Sequence, residues 1–384
     1  MKTILQRIGI LLVLLFVSLK TFGFSVTYPF GDIYYAEDYS TCRIVSVSIN
    51  KSVKEISIPE EVSYNNKTYT VTDIDRKAFK YCKLTTINIP KTVKYIRESA
   101  FEGCYYLTQI NLPDDSNLKE INEYAFQYCE SLTNFYIPDG VKTIDMGTFN
   151  GCESLESVRL SKNLQSIGFE AFCGCSNLKS VTIPGKVSNI YWIYKPDDDN
   201  LVSIFQECRN LRELIFPWGY NWLSVRGLFL SNHFGREIPL QIEHLSVDRE
   251  LSWDEYTREC LNHIVKLTLG PNVKEFKAKL EDNEEIETII SHSLNPPKVK
   301  EFSNVAYMNT IVMVPEEALD AYKAHPVWGK FWNLQVSGVD DVKIESKKEV
   351  IGRYDMNGRS VSEDYKGLVI VRFSDGSCKK MLNR

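Results

Sequence analysis

The chain has 384 residues, 43% hydrophobic, 12% aromatic and 25% charged, a composition that excludes disorder over the bulk of its length. Its formal net charge of -5 balances 45 basic against 50 acidic residues, so no cationic field faces a phosphate backbone and no nucleic acid is expected as a partner. Length alone allows about two or three ordinary domains or one elongated one.

In chain order, Lys2 and Arg7 precede an apolar run from Ile8 to Leu19, and Thr21 and Gly23 stand where a cleavage site requires small or polar residues. The run is about a dozen residues, short of the roughly 20 that cross a bilayer. Residues 1–23 therefore read as a secretory signal peptide, with the mature chain beginning near Phe24 and carrying no membrane span. The first cysteine is Cys42, too far on for a lipid-anchored N-terminus.

Residues 24–335 are organised by a repeat. Cys82, Cys104, Cys129, Cys152, Cys175 and Cys208 follow one another at steps of 22, 25, 23, 23 and 33 residues, and the residues between them recur in type. One unit reads Leu84, Ile87, Ile89, Pro90, Val93, Ile96, Ala100, Phe101 and Cys104, and the next reads Leu107, Ile110, Leu112, Pro113, Leu118, Ile121, Ala125 and Phe126. A partial copy precedes them in Ile56, Ile58, Pro59, Val71, Ile74, Ala78 and Phe79. The Ile-x-Ile step has period two, the mark of a short strand with two side chains inward and one outward. Proline closes that strand because it has no N–H for the ladder. Phe and Cys three apart predict a tight helical turn that tucks the ring inside. Each unit is one rung of about 23 residues, and rungs of this kind bury their apolar faces only against neighbours. The fold class is a β-rich repeat solenoid. Six regular strands at about 4.8 Å spacing make a wall on the order of 25 Å long, suited to a broad partner.

Between Val187 and Phe205 the period swells, adding Tyr191, Trp192, Tyr194 and the run Asp197-Asp198-Asp199, an insertion expected to bulge from one face. The acidic run lacks the glycine and spaced oxygens of a calcium loop. Residues 209–285 are degenerate, keeping phase only at Leu211, Leu214, Phe216, Pro217 and later Leu267, Leu269, Pro271 and Val273. Beyond them Ile311 to Val314 reads as a strand, Pro315 opens a helix over 316–324, and Trp328, Phe331 and Trp332 plug the last rung. Residues 337–384 lack the repeat and carry hairpin signals at Asn357-Gly358 and Asp375-Gly376, predicting a small separate β unit.

The repeat resembles the BspA-like leucine-rich repeat family of bacterial surface proteins over roughly residues 45–335, and Pro296-Pro297, Val314 to Tyr322, Trp328 and Trp332 resemble that family's array terminus. The resemblance implies a secreted protein or one at the outer cell surface of a bacterium, adhering to a host or extracellular-matrix protein. The tail, through Tyr354-Asp355, Gly358-Arg359, Val361, Gly367 to Val371, Gly376 and Lys380, resembles the C-terminal sorting domain of Bacteroidetes secreted proteins, which implies a role in export.

Catalytic chemistry is not legible. Six of the ten cysteines recur at one interior place, which reads as a column of free thiols filling space rather than a disulfide framework. Any bridge would involve Cys42, Cys173, Cys260 or Cys378. Cys260 and His263 form a lone C-x-x-H without the second pair a zinc site needs. No phosphate-binding loop and no recurrent nucleophile beside a histidine appear, so neither an enzyme nor a cofactor is expected. The candidate partner-binding residues are the outward column Asn88, Asn111, Tyr136, Arg159 and Thr182, hydrogen-bonders with one Tyr and one Arg as interface anchors. A solvated sheet face would carry the same residue types. The alternative to protein binding is a glycan-binding or glycan-processing accessory protein, with a surface glycan stacked on the inserted Trp192 and Tyr194.

Overall fold

A computed structural model describes residues 23–29, 31–50, 52–191, 193–195, 200–219, 223–224, 241–252, 261–337, 350–354, 361–362, 366–373 and 378–383. Its rungs are three-sided. On the first side, the strands Glu55–Ser57, Thr86–Asn88 and Gln109–Asn111 pair in parallel and in register, Ile56 beside Ile87 beside Ile110. On the second, pairs of residues ending in Ile74, Ile96, Ile121, Ile144, Ile167 and Ile190 form a parallel ladder. The third side is the Ala-Phe-x-x-Cys segment. One core cluster runs from Phe24 to Phe331 without a break between lobes, as stacked rungs require.

The third side is not the helical turn that the Phe–Cys spacing suggests. Ala100 N, Glu102 N and Cys104 N bond back three residues, to Arg97, Ser99 and Phe101 carbonyls, while the alternate groups Ser99 N, Phe101 N and Gly103 N reach forward to Glu123, Ala125 and Gln127 carbonyls on the next rung. Left-handed residues flank the phenylalanines, Ser99 (φ 55) and Gly103 (φ 70) around Phe101, Tyr124 and Tyr128 (both φ 57) around Phe126. These positive-φ positions turn alternate N–H groups outward along the solenoid axis, which a helix cannot do. At Gly103 a Cβ would sit 2.3 Å from the ring of Tyr81, so glycine meets both the backbone and the packing demand.

Inside that side, six rings stack. Centroids lie 5.0 Å apart for Phe79–Phe101, 5.3 Å for Phe101–Phe126, 5.5 Å for Phe126–Phe149, 5.4 Å for Phe149–Phe172 and 5.7 Å for Phe172–Phe205. Five of the six column thiols donate to the phenylalanine carbonyl of the rung before, Cys104 Sγ to Phe79 at 3.0 Å, Cys129 to Phe101 at 3.3 Å, Cys152 to Phe126 at 3.2 Å, Cys175 to Phe149 at 3.3 Å and Cys208 to Phe172 at 3.1 Å. That carbonyl already accepts its own turn bond, as Phe79 O does from Cys82 N, so the thiol fills the second lone pair. Cysteine is small and apolar and still donates weakly. The column is thus free thiols, and Cys42 is a free thiol as well. Cys260 lies outside the described residues, and Cys378 is described only as backbone in a strand.

Burial pushes the Cys152 thiol up to about 12 and that of half-buried Cys82 to about 11, against roughly 8.5 for an unfolded thiol. The neutral form is favoured by folding, so its contribution is intact below about pH 8.5 and is lost as pH climbs through that window toward 12. At pH 8 the five buried column thiols are expected to resist alkylation in the native protein and to react once it is unfolded. Mass spectrometry of native protein showing modified Cys129 or Cys152 would contradict that packing.

The wall departs from six regular strands. Gln109–Asn111 ends one three-stranded sheet, and Asn134–Tyr136 begins a second, nine-stranded one. Ile89 N bonds to Asn111 O and Ile137 N to Arg159 O, both at 2.9 Å. The rung between them is the long one, with Cys104 and Cys129 separated by 25 residues. Its corner, Pro113 to Asn117, is longer than the corner Pro90 to Thr92 of the rung before, and Ile110 and Leu112 are only partly buried.

The degenerate segment keeps the wall. Glu213–Phe216, His244–Val247, Lys266–Leu269 and Thr288–Ser291 follow in register, Leu214 beside Leu245 beside Leu267 beside Ile289. The insertion after Ile190 carries a two-stranded ribbon, Ile193–Lys195 paired antiparallel with Asn200–Val202. Its aspartates at 197–199 lie outside the described residues.

Both ends are covered. Gly23–Tyr28, Gly31–Asp38 and Thr41–Ile49 form an antiparallel meander continuous with the second-side ladder, a cap that the repeat pattern does not announce. At the other end Ile311–Val314 pairs with Asn333–Val336. A 3-10 turn Glu316–Ala318 and a helix Leu319–Ala324 lie between them. Trp328 is fully buried and its indole N–H donates to Pro297 O at 2.8 Å. The tail forms an antiparallel sheet of Val350–Tyr354, Gly367–Phe373 and Cys378–Asn383, with Val369 and Val371 buried. Asp375-Gly376 joins the last two strands from outside the described residues. Asn357-Gly358 also lies outside them, spanned by a bond from Val361 N to Arg353 O of 2.8 Å.

Candidate recognition surface: the strand wall and its corner

The outward column divides at the break in the wall. On the N-terminal part, Asn88 Nδ2 donates to Ser57 Oγ at 2.8 Å and Glu55 Oε1 at 3.1 Å, and Asn111 Nδ2 donates to Asn88 Oδ1 at 2.6 Å. Gln109 Nε2 donates to Asn111 Oδ1 at 2.7 Å. The carboxamides of Asn88 and Asn111 therefore form a ladder that ties rungs together, and their hydrogen-bonding capacity is largely used within the protein. On the second part, the Arg159 guanidinium lies 4.6 Å from the centroid of the Tyr136 ring, a cation–π pair across two strands. Arg159 and Thr182 are exposed and Tyr136 is half-buried. Nearby, the exposed Lys162 bonds the Asp139 carboxylate at 2.7 Å and holds it below the usual carboxylate range. Trp192 lies outside the described residues, and Tyr194 is described only as backbone in the inserted ribbon.

A second feature lies where the wall strands turn. After Glu213–Phe216, His244–Val247, Lys266–Leu269 and Thr288–Ser291, the chain makes four successive corners that together enclose a groove of about 460 Å³. Trp218, Asp248, Arg249, Glu250, Asn272 and Lys274 are among its lining residues. Arg249 is 2% exposed, and its guanidinium donates to Val187 O at 3.0 Å and Pro184 O at 3.4 Å. Burial lowers its pKa from the ordinary value, though a guanidinium stays charged. Asp248 accepts from Asn272 N at 3.0 Å and from Asn272 Nδ2 at 3.1 Å. Sequence reading missed this groove because the register of 209–285 was not legible. The available signal was Trp218, an aromatic residue directly after Phe216-Pro217 where regular rungs carry Lys91, Asp139 or Gly185.

Among the described residues no group of three or more His, Cys, Asp or Glu side chains gathers as a metal site. His263 faces Glu285 at 3.2 Å in the open, and His325 Nδ1 accepts from Val327 N at 3.2 Å at the end cap. Also among the described residues, no helix is long and apolar enough to cross a membrane.

The family model for the BspA type leucine rich repeat region matches residues 72–193 in six copies. Among solved structures, the chain is similar to a leucine rich repeat protein of T. pallidum, with 28% identity, 54% of this chain and 86% of that one covered, and a TM-score of 0.41. A leucine rich cell surface protein from Faecalibacterium prausnitzii A2-165 is 18% identical over 83% of this chain and 96% of that one, with a TM-score of 0.41. The pneumococcal vaccine antigen PcpA is 16% identical over 83% and 99%, also at a TM-score of 0.41. No curated protein matches the chain. Residues 72–193 are a BspA-type leucine-rich repeat region, and the parallel strands that continue past it in register make the chain a β-rich leucine-rich repeat solenoid.

Proposed function

We propose that this solenoid is an exported, non-catalytic, adhesin-like scaffold at the outer surface of a bacterium, and that it holds a host or extracellular-matrix protein against its strand wall. The observation that carries the reading is the Tyr136–Arg159 pair on adjacent strands. Tyr and Arg are the residue types that dominate binding energy at protein interfaces. The nine-stranded sheet that begins with the pair's two strands supplies a broad, rigid surface, so little ordering is lost on association. Export rests on the charged, then apolar, then small-residue order of residues 1–23. A chain cut after Gly23 keeps Phe24, whose ring stacks on Tyr64 at 4.5 Å and Tyr35 at 5.3 Å, so the N-terminal cap survives processing. The tail sheet of 350–383 is the unit to which a sorting role falls.

The test is retention of the purified full chain on immobilised fibronectin, laminin and collagen. Wild type is expected to be held by at least one of them, and Tyr136→Ala combined with Arg159→Ala is expected to weaken that retention at least about ten-fold, the loss of an aromatic and arginine anchor. Equal retention by the double variant would remove the wall from the interface. Absence of retention on all three would count against a matrix partner.

A further inference from the structure

The corner groove has a chemistry distinct from that of the wall. Trp218 stands at one end with 47% of its surface exposed, a large indole left half in water. Its backbone is fixed, because Gly219 packs on Gly185 so tightly that a Cβ on Gly219 would lie 2.2 Å from Gly185 O and 3.0 Å from the Arg249 guanidinium carbon. The buried Arg249 is the floor under that contact. Asp248 is held in place by two donors of Asn272 and retains acceptor capacity toward the groove. Glu250, Lys274 and Asn295 line it further along and are exposed.

Two carboxylates, Asp248 and Glu250, oppose two cations, Arg249 and Lys274, so the groove has no net charge to reward an ionic ligand. What remains is one aromatic face, carboxylates and amides that bond hydroxyl groups, and a volume of about 460 Å³ within the range of small-ligand sites. Four corners at about 4.8 Å per rung give a track on the order of 14 Å, longer than one sugar ring. We propose that this groove binds a neutral oligosaccharide, with a ring stacked on Trp218 and hydroxyls bonded by Asp248, Glu250, Asn272 and Asn295. The proposal is independent of the protein partner assigned to the wall.

The test is an array carrying neutral glucan, mannan and galactan oligosaccharides beside sulfated and uronate-rich ones, probed with the full chain. Wild type is expected to retain at least one neutral oligosaccharide. Trp218→Ala is expected to weaken it at least about ten-fold, and Asn295→Ala, at an exposed position, by a smaller factor. The Tyr136→Ala plus Arg159→Ala variant should bind as wild type. Circular dichroism melts confirm that each variant is folded, and should Trp218→Ala melt early, Trp218→Leu and Asn295→Ala carry the test. Retention of anionic glycans alone, no retention of any neutral glycan, or unchanged binding by folded Trp218 and Asn295 variants would each overturn the proposal.

Discussion

Replacing Phe126 with Ala is expected to remove about 3–5 kcal/mol of stability, among the largest effects available to a single substitution here. Phe126 is fully buried and its ring lies 5.3 Å from Phe101, 5.5 Å from Phe149 and 5.1 Å from the wall residue Phe135. The neighbouring rings cannot close the gap, because each is fixed by backbone bonds on both sides, Phe126 N to Thr148 O and Phe149 N to Ala171 O among them. The lost contacts belong to two interfaces, one with the rung before and one with the rung after. In a nearest-neighbour array that couples the two halves, so denaturation followed by far-ultraviolet circular dichroism should show a lower midpoint and a broadened or split transition. Phe79, at the end of the stack with one stacked neighbour, provides the comparison. Its alanine variant should leave the transition single. An unchanged midpoint in Phe126→Ala would show that the ring column does not hold the rungs together.

The rung was legible in the sequence because its interior residues recur in type as well as in spacing. Ile87, Ile110, Phe135, Val158 and Val181 all stand at one wall position and all are buried or partly buried. The turn is not legible in the sequence, for a physical reason. A Phe and a Cys three apart fit a helical turn and a chain of separate three-residue turns equally well, and only positive φ at Ser99, Tyr124 and Glu170 separates them. Non-glycine residues at those places carry no warning, whereas Gly147, Gly151 and Gly174 do. The break between Asn111 and Tyr136 was visible as a 25-residue step, but a step length does not say which ladder absorbs the extra residues. Residues 209–285 lost the Ala-Phe-x-x-Cys signature while their wall strands stayed in phase at Leu214, Leu245 and Leu267. Half of the repeat had gone, and with it the frame that places Trp218 at a corner. For the wall itself, sequence identified which side chains face outward but not that Asn88 and Asn111 would bond each other.

Trp328→Ala is expected to have an effect of similar size at the opposite kind of position, about 3–5 kcal/mol from lost burial, with roughly a further 1 kcal/mol from the unpaired Pro297 carbonyl. Trp328 is fully buried, and its ring meets Tyr322 at 5.5 Å, Phe302 at 5.7 Å and Phe331 at 5.9 Å. Tyr322 in turn is fixed by Ser291 Oγ at 2.6 Å and Ser293 O at 3.1 Å, so the indole closes an aromatic lid over the last rungs. Without it water reaches Val312 and Val314, which are now wholly buried, and the strand Asn333–Val336 that pairs with theirs is left as a rung without its aromatic cover. The damage should spread inward from that end and fade. Native-state hydrogen exchange of the variant is therefore expected to show early loss of protection in Asn333–Val336 and Ile311–Val314, while Asn134–Tyr136 and Ser157–Arg159 keep theirs. In Phe126→Ala the order should reverse, with the middle strands opening first. Uniform loss of protection along the whole wall in both variants would mean that the solenoid unfolds as a single unit, and that its ends are not separately capped.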